Sequence, residues 1–300
     1  MSKILVTGAS GDIGRKTLLH LLKRRPAGEL IGLARDPSKA ADLAAKGVEI
    51  RRGEYLEPAS LAEAFKGVDK LMLTSTHAFT DRKTAHANVI DEAVKAGVKH
   101  LVYMPIYRKP GSTFHMAEIT DEDIFTVDRL KASGLTWTLA KHPPFMEPAA
   151  MYGGVNPLET GVRVPPGEAK FTAATRDDLA AAHAAILSGT GHENKEYYLS
   201  GHPAVSYRDI AGILSKVHGK EVPFITVSDE EYVEIGNGLG FPPGIAEFIL
   251  KWVQGMNAGE WAEETGDLAR LIGHQPTTFD EFFAEAAKAA QAAPTSESVT

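Results

Sequence analysis

The chain contains no cysteine, no excess of basic residues and no long apolar run, and each absence excludes a class of function. Without cysteine in 300 residues, disulfides, thiolate metal sites, iron–sulfur clusters and a cysteine nucleophile are excluded. With 32 basic and 39 acidic residues the net charge is −7, which disfavours general nucleic-acid binding because that binding depends on neutralising phosphates. No apolar run approaches the roughly 20 residues that span a bilayer, and no secretory signal opens the chain. We expect a cytoplasmic protein without nucleic-acid or membrane partners; the sequence does not define its oligomeric state.

The first 140 residues alternate short β-rich runs with stretches that have apolar residues at helical spacing. Most of these helical stretches end in a glycine, as expected for a left-handed residue that closes a helix. Repeated strand–helix–strand units are typical of right-handed parallel crossovers. The pattern predicts an α/β fold with a Rossmann-type doubly wound parallel sheet. The predicted strands cover residues 4–7, 30–34, 48–52, 70–74, 100–103 and 136–140.

This alternation stops after Lys141. Residues 142–148 contain three prolines and are predicted to form neither strand nor helix, within a loop-rich stretch that runs to about residue 168. Helix and strand patterns then resume. We expect an NAD(P)-binding Rossmann domain over residues 1–150 and a smaller C-terminal α/β cap over 151–290, which binds substrate and is partly interleaved with the first domain. Residues 291–300 are expected to be a disordered tail.

The strongest motif is Gly-Ala-Ser-Gly-Asp-Ile-Gly at residues 8–14, between a predicted strand and a predicted helix. Glycines allow a sharp turn and a close approach to a pyrophosphate, and the helix start supplies unpaired N–H groups and a positive dipole end. The alternative is a glycine-rich turn without a ligand. The residues assigned to this part of the cofactor site are Thr7, Gly8, Ser10, Gly11, Asp12, Ile13 and Gly14.

The end of the second predicted strand indicates which dinucleotide is bound. Arg35 is the first residue past that strand, where a guanidinium can bind the 2′-phosphate of NADP by charge-assisted hydrogen bonds. Arg15, directly after the glycine motif, adds to this positive charge. Asp36 is an acidic residue of the kind that binds the ribose of NAD. We therefore predict NADP as the cofactor, with NAD as the alternative.

Several further segments resemble the NmrA-like group of the atypical short-chain dehydrogenase/reductase superfamily, in particular its triphenylmethane-reductase and NADPH:quinone-reductase branches. The resemblance covers most of the chain and implies a Rossmann-type NADP-binding fold. It is strong for the fold and weaker for the substrate. The segments that carry it are residues 6–11, 53–55, 58–61, 64–68, 87–90, 96–100, 133–138 and 191–195.

The resemblance also implies roles for residues beyond the glycine motif. Glu54 and Tyr55 are expected beside the adenine, with Glu54 standing where the family has aspartate. The strand-end residues expected near the nicotinamide and its ribose are Thr74, Ser75, Thr76, Tyr103 and Met104. Lys141 is placed at the cofactor by position alone, because Lys141-His142 replaces the Arg-Asn that relatives often carry there.

The catalytic pair of typical superfamily members is missing. Those enzymes place a lysine four residues after a tyrosine on one helix, where it lowers the tyrosine pKa for proton transfer. None of the eight tyrosines has such a lysine, and the helical stretch expected to carry the pair, residues 120–128, is acidic and has no tyrosine. Four residues remain as candidates for a substituted proton donor: Tyr107, His142, His115 and Lys141.

Apolar and aromatic residues dominate the two loops expected to flank the nicotinamide, which predicts an apolar substrate. The candidate substrate residues are Pro105, Phe114, Met116, Pro144, Phe145, Met151 and Tyr152. Phe241, Phe248 and Trp252 form either a lid or part of the core. Arg163, Lys170 and Arg176 either attract an anion or are solvated.

No metal-binding motif accompanies the acidic run at Asp121, Glu122 and Asp123. Acidic residues at a helix start are also explained by the positive end of the helix dipole. We predict no metal. The predicted protein is an NADPH-dependent oxidoreductase that reduces an apolar, aromatic or quinone-like small molecule by direct hydride transfer. The alternative is a non-catalytic NADP-binding redox sensor with a regulatory role.

Arg35 provides a direct test of the cofactor prediction. Replacing Arg35 with alanine should raise the dissociation constant of NADPH by more than about tenfold, because it removes charge-assisted hydrogen bonds to the 2′-phosphate. The dissociation constant of NADH, which lacks that phosphate, should stay nearly unchanged. Titration of the protein with each dinucleotide measures both values, and equal losses for the two would contradict the NADP assignment.

Overall fold

Seven strands form one fully parallel sheet in the computed structural model, which describes residues 2–292. The strands of this sheet are β1 (Ile4–Thr7), β2 (Leu30–Ala34), β3 (Glu49–Arg52), β4 (Lys70–Leu73), β5 (His100–Tyr103), β6 (Thr136–Lys141) and β8 (Lys195–Tyr198). Their spatial order is β3-β2-β1-β4-β5-β6-β8. The predicted doubly wound sheet is confirmed, and the six strands predicted in the first half agree with these bounds to within one residue.

Helices cover both faces of the sheet. They are α1 (Asp12–Leu22), α2 (Ala41–Ala44), α3 (Pro58–Ala64), α4 (Arg82–Lys95), α5 (Ala117–Ala132), α6 (Met146–Met151), α7 (Pro157–Thr160), α8 (Arg176–Ser188), α9 (Tyr207–His218), α10 (Asp229–Gly238), α11 (Ile245–Asn257), α12 (Asp267–Ile272) and α13 (Phe279–Ala292). Helices α1 and α8 pack together on one face, while α3, α4 and α5 pack in sequence on the other.

Alternate residues of each strand enter one or the other helical layer, as the two-residue period of a strand requires. On β5, Val102 packs in the cluster beneath α1 and α8, whereas Leu101 and Tyr103 pack beneath α4 and α5. The central strands β1 and β5 are buried along their whole length. Near-continuous apolar runs of this kind are typical of parallel sheets covered on both faces.

A third cluster forms the core of the C-terminal part of the chain. It is built around the aromatic side chains of Phe171, Tyr207, Trp252 and Phe279, and it lies beside a two-stranded parallel sheet of β7 (Val162–Val164) and β9 (Phe224–Thr226). Met146, which precedes residue 150, packs in the same cluster. Conversely, α8 and β8 follow residue 150 yet belong to the main sheet and its layers.

The prediction for residues 142–148 was wrong in part. Helix α6 begins at Met146 and includes Pro148 as its third residue. Proline is tolerated there because the N–H groups of a first helical turn have no partner within the helix. The following stretch also contains α7 and β7 rather than loop alone. Residues 293–300 of the predicted disordered tail lie outside the described residues, and 291–292 end α13.

The helix-ending glycines predicted from the sequence are confirmed. Gly47, Gly67, Gly97 and Gly134 have φ of +87°, +72°, +73° and +82°.

Among residues 2–292, no helix combines the length and the apolar character that crossing a bilayer requires.

Two glycines test the packing, because an added Cβ would clash at one of them and meet open space at the other. Gly201 is buried beyond the end of β8, where an added Cβ would lie 1.8 Å from the carbonyl oxygen of Ala173. Gly201→Ala should therefore lower the free energy of unfolding by about 1–3 kcal/mol or more. Gly212 lies on the exposed side of α9, and its Cβ would meet nothing within 4 Å. Gly212→Ala should raise that free energy by about 0.5–1 kcal/mol. Urea unfolding of both variants measures the two changes, and equal effects would contradict a steric limit at Gly201.

Candidate active site

The order in which the chain adds strands to the sheet reverses between β1 and β4. The chain runs outward through β2 and β3 on one side of β1 and through β4, β5 and β6 on the other. Open α/β sheets bind ligands in the crevice at such a switch point. Most residues predicted to bind the cofactor lie at the ends of β1, β2, β4 and β5 along this edge.

The glycine motif forms a tight turn between β1 and α1. Gly8 has φ +69° and accepts a hydrogen bond of 2.9 Å from the N–H of Gly11. A Cβ on Gly14 would lie 2.3 Å from the carbonyl oxygen of Gly8, so only glycine fits there. Gly11 is the N-cap of α1 and provides no side-chain cap. The turn therefore presents uncapped backbone N–H groups, which is the donor set that a pyrophosphate needs.

The other residues of the turn divide by exposure. Ser10 and Asp12 are exposed, whereas the side chain of Ile13 is buried in the cluster beneath α1 and α8. Ile13 can therefore face a ligand only through its backbone.

The two predicted arginines at the adenine end are placed differently. The side chain of Arg35 is 80% exposed and lies 3.7 Å from the carboxylate of Glu54. Arg15 instead pairs with Asp42 and donates a hydrogen bond of 2.6 Å to the carbonyl oxygen of Lys39. Arg35 is thus the more accessible cation beside β2. Arg15 instead helps to hold the segment that follows β2.

A hydrogen-bond network joins the ends of β1 and β4. The Tyr55 hydroxyl donates to Thr7 Oγ1 and lies 2.9 Å from the carbonyl oxygen of Thr74, while the Thr74 N–H donates to Thr7 Oγ1 over 2.9 Å. Burial raises the pKa of Tyr55. Thr7 is fully buried, so its side chain holds the strand ends in register and does not reach the crevice.

The loop after β4 is held from below by a buried histidine. The backbone N–H of Thr76 lies 3.3 Å from His86 Nε2, and His86 Nδ1 lies 3.0 Å from Thr126 Oγ1. Ser75 Oγ lies 3.5 Å from the carbonyl oxygen of Met104, at the end of the neighbouring strand. The segments predicted to flank the nicotinamide are therefore adjacent, and helices α4 and α5 support them.

Asp123 organises the end of β5. Its carboxylate accepts hydrogen bonds from the Tyr103 hydroxyl at 2.7 Å, from Arg82 at 2.7 Å and from the Ile106 N–H at 2.9 Å. The side chains of Arg82 and Asp123 are only 4% and 10% exposed. Burial raises the pKa of Asp123, and these three donors oppose that shift. No sequence motif marks this role, because Asp123 lies in an acidic run that equally suits a solvated helix start.

The expectation for Tyr103 needs correction. Its side chain is fully buried, faces α4 and α5, and donates to Asp123. It therefore cannot contact a cofactor in the crevice, and only its backbone can. The reason is register: on β5, alternate residues face opposite layers, and Tyr103 shares the layer of Leu101.

The predicted substrate residues form two separate groups. Pro105, Phe114 and Met116 line a cavity of about 230 Å³ together with Tyr107, Trp252 and Trp261. Pro144, Phe145, Met151 and Tyr152 lie outside that lining. Phe145 stacks on His142 with ring centres 4.7 Å apart. Pro144 is buried, Met151 is 60% exposed, and the Tyr152 carbonyl accepts a hydrogen bond from Tyr232.

Of the proton-donor candidates, Tyr107 and Lys141 line the cavity. The Tyr107 hydroxyl donates to Glu263 and the Tyr107 ring stacks on Tyr198 at 3.6 Å. His142 is buried with Nδ1 2.7 Å from the Pro143 carbonyl oxygen, and burial lowers its pKa to about 4.

His115 and Lys141 lie in other surroundings. His115 is exposed, lies 3.5 Å from Asp121 and does not line the cavity. Lys141 lines the cavity and pairs with Glu196 of β8. That pairing turns Lys141 toward the α5 side of the sheet and away from the glycine turn.

A series of aromatic contacts links the loop after β4 and the loop after β5 to the C-terminal part. The ring centres of Phe79 and Phe248 are 5.0 Å apart, those of Phe248 and Trp252 6.3 Å, those of Trp252 and Trp261 5.3 Å, and those of Trp261 and Phe114 5.8 Å. Trp252 packs in the core and also lines the cavity. Trp261, which sequence periodicity did not single out, donates to the Tyr107 carbonyl at 3.0 Å.

Metal ligation has no support within residues 2–292, where no group of three or more His, Asp or Glu side chains is arranged to hold an ion.

Comparison with known proteins bears on the site more directly. A family of NAD(P)H-binding proteins matches residues 8–190, which include the glycine turn and the start of α8. The chain belongs to this NAD(P)H-binding family.

Three relatives resemble nearly the whole chain. Quinone oxidoreductase 2 of Escherichia coli is 35% identical, over 93% of this chain and 96% of its own. An NAD(P)H azoreductase of Xenophilus azovorans is 29% identical over 93% and 96%. A Citrobacter sp. triphenylmethane reductase complexed with NADP(H) superposes with a TM-score of 0.88 at 32% identity, over 95% and 99%. The resemblance inferred from the sequence motifs is confirmed.

Four buried histidines near the helical layers predict sensitivity to acid. Burial lowers the pKa of His86 and His183 to about 3 and that of His100 and His142 to about 4. In the unfolded chain these groups take up protons near pH 6.5. The free energy of unfolding should therefore fall as the pH drops from about 6.5 toward 4.

His183→Leu tests this dependence. Neither ring nitrogen of His183 has a hydrogen-bond partner among the described residues, so leucine should be tolerated at neutral pH. Urea midpoints measured from pH 8 to pH 4 should fall less steeply for this variant than for wild type. His218→Leu removes an exposed histidine and should leave the slope unchanged. A His183→Leu slope equal to wild type would contradict the assignment.

Proposed function

We propose that the protein is an NADPH-dependent reductase of apolar aromatic or quinone-like acceptors, which take up hydride directly. The observation that carries the proposal is the cavity beside the end of β5, which is lined by Phe114, Trp252 and Trp261 and in which Asp123 and Tyr107 are already engaged. Asp123 is used by three donors, and the Tyr107 hydroxyl donates to Glu263. An electron-poor acceptor needs orientation and a dry surface more than a positioned proton donor.

The residues at the crevice fit a dinucleotide. The turn at residues 8–14 would hold the pyrophosphate through backbone N–H groups, and Arg35 would bind the 2′-phosphate. When bound, NADPH supplies a hydride from its nicotinamide ring. The quinone oxidoreductase, the azoreductase and the NADP(H)-bound triphenylmethane reductase support this assignment, since each resembles nearly the whole chain.

The protein's own side chains would orient the acceptor and exclude water. Trp252, Trp261 and Phe114 line the cavity, and aromatic walls favour a planar substrate. Burial and the neighbouring Glu263 raise the pKa of Tyr107, so its hydroxyl stays protonated and engaged. A reduced quinone would take its one proton from solvent after leaving the cavity, whereas a cationic dye would need only the hydride.

A panel of acceptors tests the proposal. NADPH consumption should occur with quinones, azo compounds and cationic dyes, and should be absent with aromatic ketones, which need a proton donor at the carbonyl oxygen. Absorbance of NADPH in the presence of purified protein measures each rate. Turnover of ketones would show that a substituted proton donor acts, contrary to the proposal. Tight NADPH binding without turnover of any class would favour the redox-sensor alternative.

A further inference from the structure

Arg176, the first residue of α8, lies beside the phosphate-binding turn. Its Nε is 3.7 Å from Oδ2 of Asp12, and Asp12 is the first residue of α1. Its guanidinium also lies over the ring of Phe145, 4.6 Å from the ring centre. The cation therefore stands between the uncapped start of α1 and the segment that follows β6.

The guanidinium makes no hydrogen bond within residues 2–292. Its only ion pairs there are loose: 3.7 Å to Asp12 and 3.5 Å to Glu147, which exceeds the usual length of a charged hydrogen bond. The side chain is 27% exposed. Arginine carries five N–H donors in a planar fork that matches phosphate oxygens. Within residues 2–292 none of the five is used in a hydrogen bond, and they lie beside the turn to which we assign the pyrophosphate.

The backbone around Arg176 is already fixed. Its N–H donates a 3.0 Å hydrogen bond to Glu147 Oε1, and α8 packs along α1. Thr175 caps the helix by accepting from the N–H of Asp178. Because the chain is ordered before any ligand arrives, binding through Arg176 would cost little conformational entropy.

Two cations and two carboxylates meet at this position. Asp12 alone would repel a phosphate, but its carboxylate lies 2.9 Å from Lys16 as well as near Arg176. Glu147 is the second carboxylate in contact with the guanidinium. Moving Arg176 from these loose pairs onto phosphate oxygens would exchange weak contacts for short charge-assisted hydrogen bonds.

We propose that Arg176 binds the pyrophosphate of the dinucleotide, together with the backbone N–H groups of the turn at residues 8–14. The proposal rests on the dinucleotide binding put forward above. It assigns separate roles to two arginines: Arg35 recognises the 2′-phosphate, and Arg176 recognises the phosphates that NADPH and NADH share. The part of the chain that follows residue 150 thus contributes directly to the cofactor site.

Binding of three ligands to the protein without acceptor tests this role. Arg176→Ala should raise the dissociation constants of NADPH and NADH alike, by about tenfold or more, because a charged hydrogen-bond donor is lost. Affinity for adenosine 2′-monophosphate, which lacks the pyrophosphate, should be unchanged. Arg176→Lys keeps the charge but loses the planar fork, and should give an intermediate loss. Fluorescence titration for the dinucleotides and competition for the mononucleotide measure these values.

Arg208→Ala is the matched control. Arg208 also lies over a phenylalanine ring, 4.4 Å from the centre of Phe224, and pairs with Glu168 at 2.9 Å. It lies in the C-terminal part, on α9, so its removal should leave all three affinities unchanged. Urea midpoints of each variant establish that it is folded.

Two outcomes would overturn the proposal. NADPH and NADH affinities of Arg176→Ala within about twofold of wild type would show that the arginine does not touch the shared phosphates. Equal weakening of adenosine 2′-monophosphate would show that its effect is not specific to the pyrophosphate. Wild type that binds NADPH but reduces no acceptor would refute the reductase proposal alone, whereas wild type that binds no dinucleotide would refute both.

Discussion

The site depends on how closely the start of α1 approaches the end of β1. A single added carbon at Gly14 would lie 2.3 Å from one carbonyl oxygen of the turn and 2.7 Å from that of Thr7. This contact brings the uncapped N-terminus of α1 to the switch point of the sheet. Helix α8 packs along α1, and its first residue, Arg176, consequently reaches the same turn. Loss of that one approach would separate all of these groups.

The loops that flank the crevice are held by polar groups buried beneath them. A buried charge is costly unless it is paired and hydrogen-bonded, and Asp123 satisfies this condition with Arg82, Tyr103 and a backbone N–H. Helix α5, which carries Asp123, thereby supports the end of β5.

The cavity has a different origin from the crevice. Its walls combine residues from the loop after β5 with Trp252 and Trp261, which lie far away in the chain. The aromatic chain that ends at Phe79 connects these walls to the loop after β4. The glycine turn therefore lies between β1 and α1, whereas two aromatic walls of the cavity come from the C-terminal part.

The sequence by itself determined the parallel sheet, its strand bounds and the phosphate-binding turn. These features follow from local causes: strand and helix periodicity, helix-ending glycines, and a glycine motif whose steric demand lies within seven residues. Proline alone misled at residues 142–148, because a first helical turn does not need the missing N–H.

Only the tertiary structure decided which side chains meet. It buried Tyr103, divided the predicted substrate residues between two surroundings, and brought Arg176 to a turn more than 160 residues earlier in the chain. Strand alternation decides which layer a side chain enters, but a one-residue shift reverses it. Contacts between distant segments depend on packing of whole helices, and no local pattern records them.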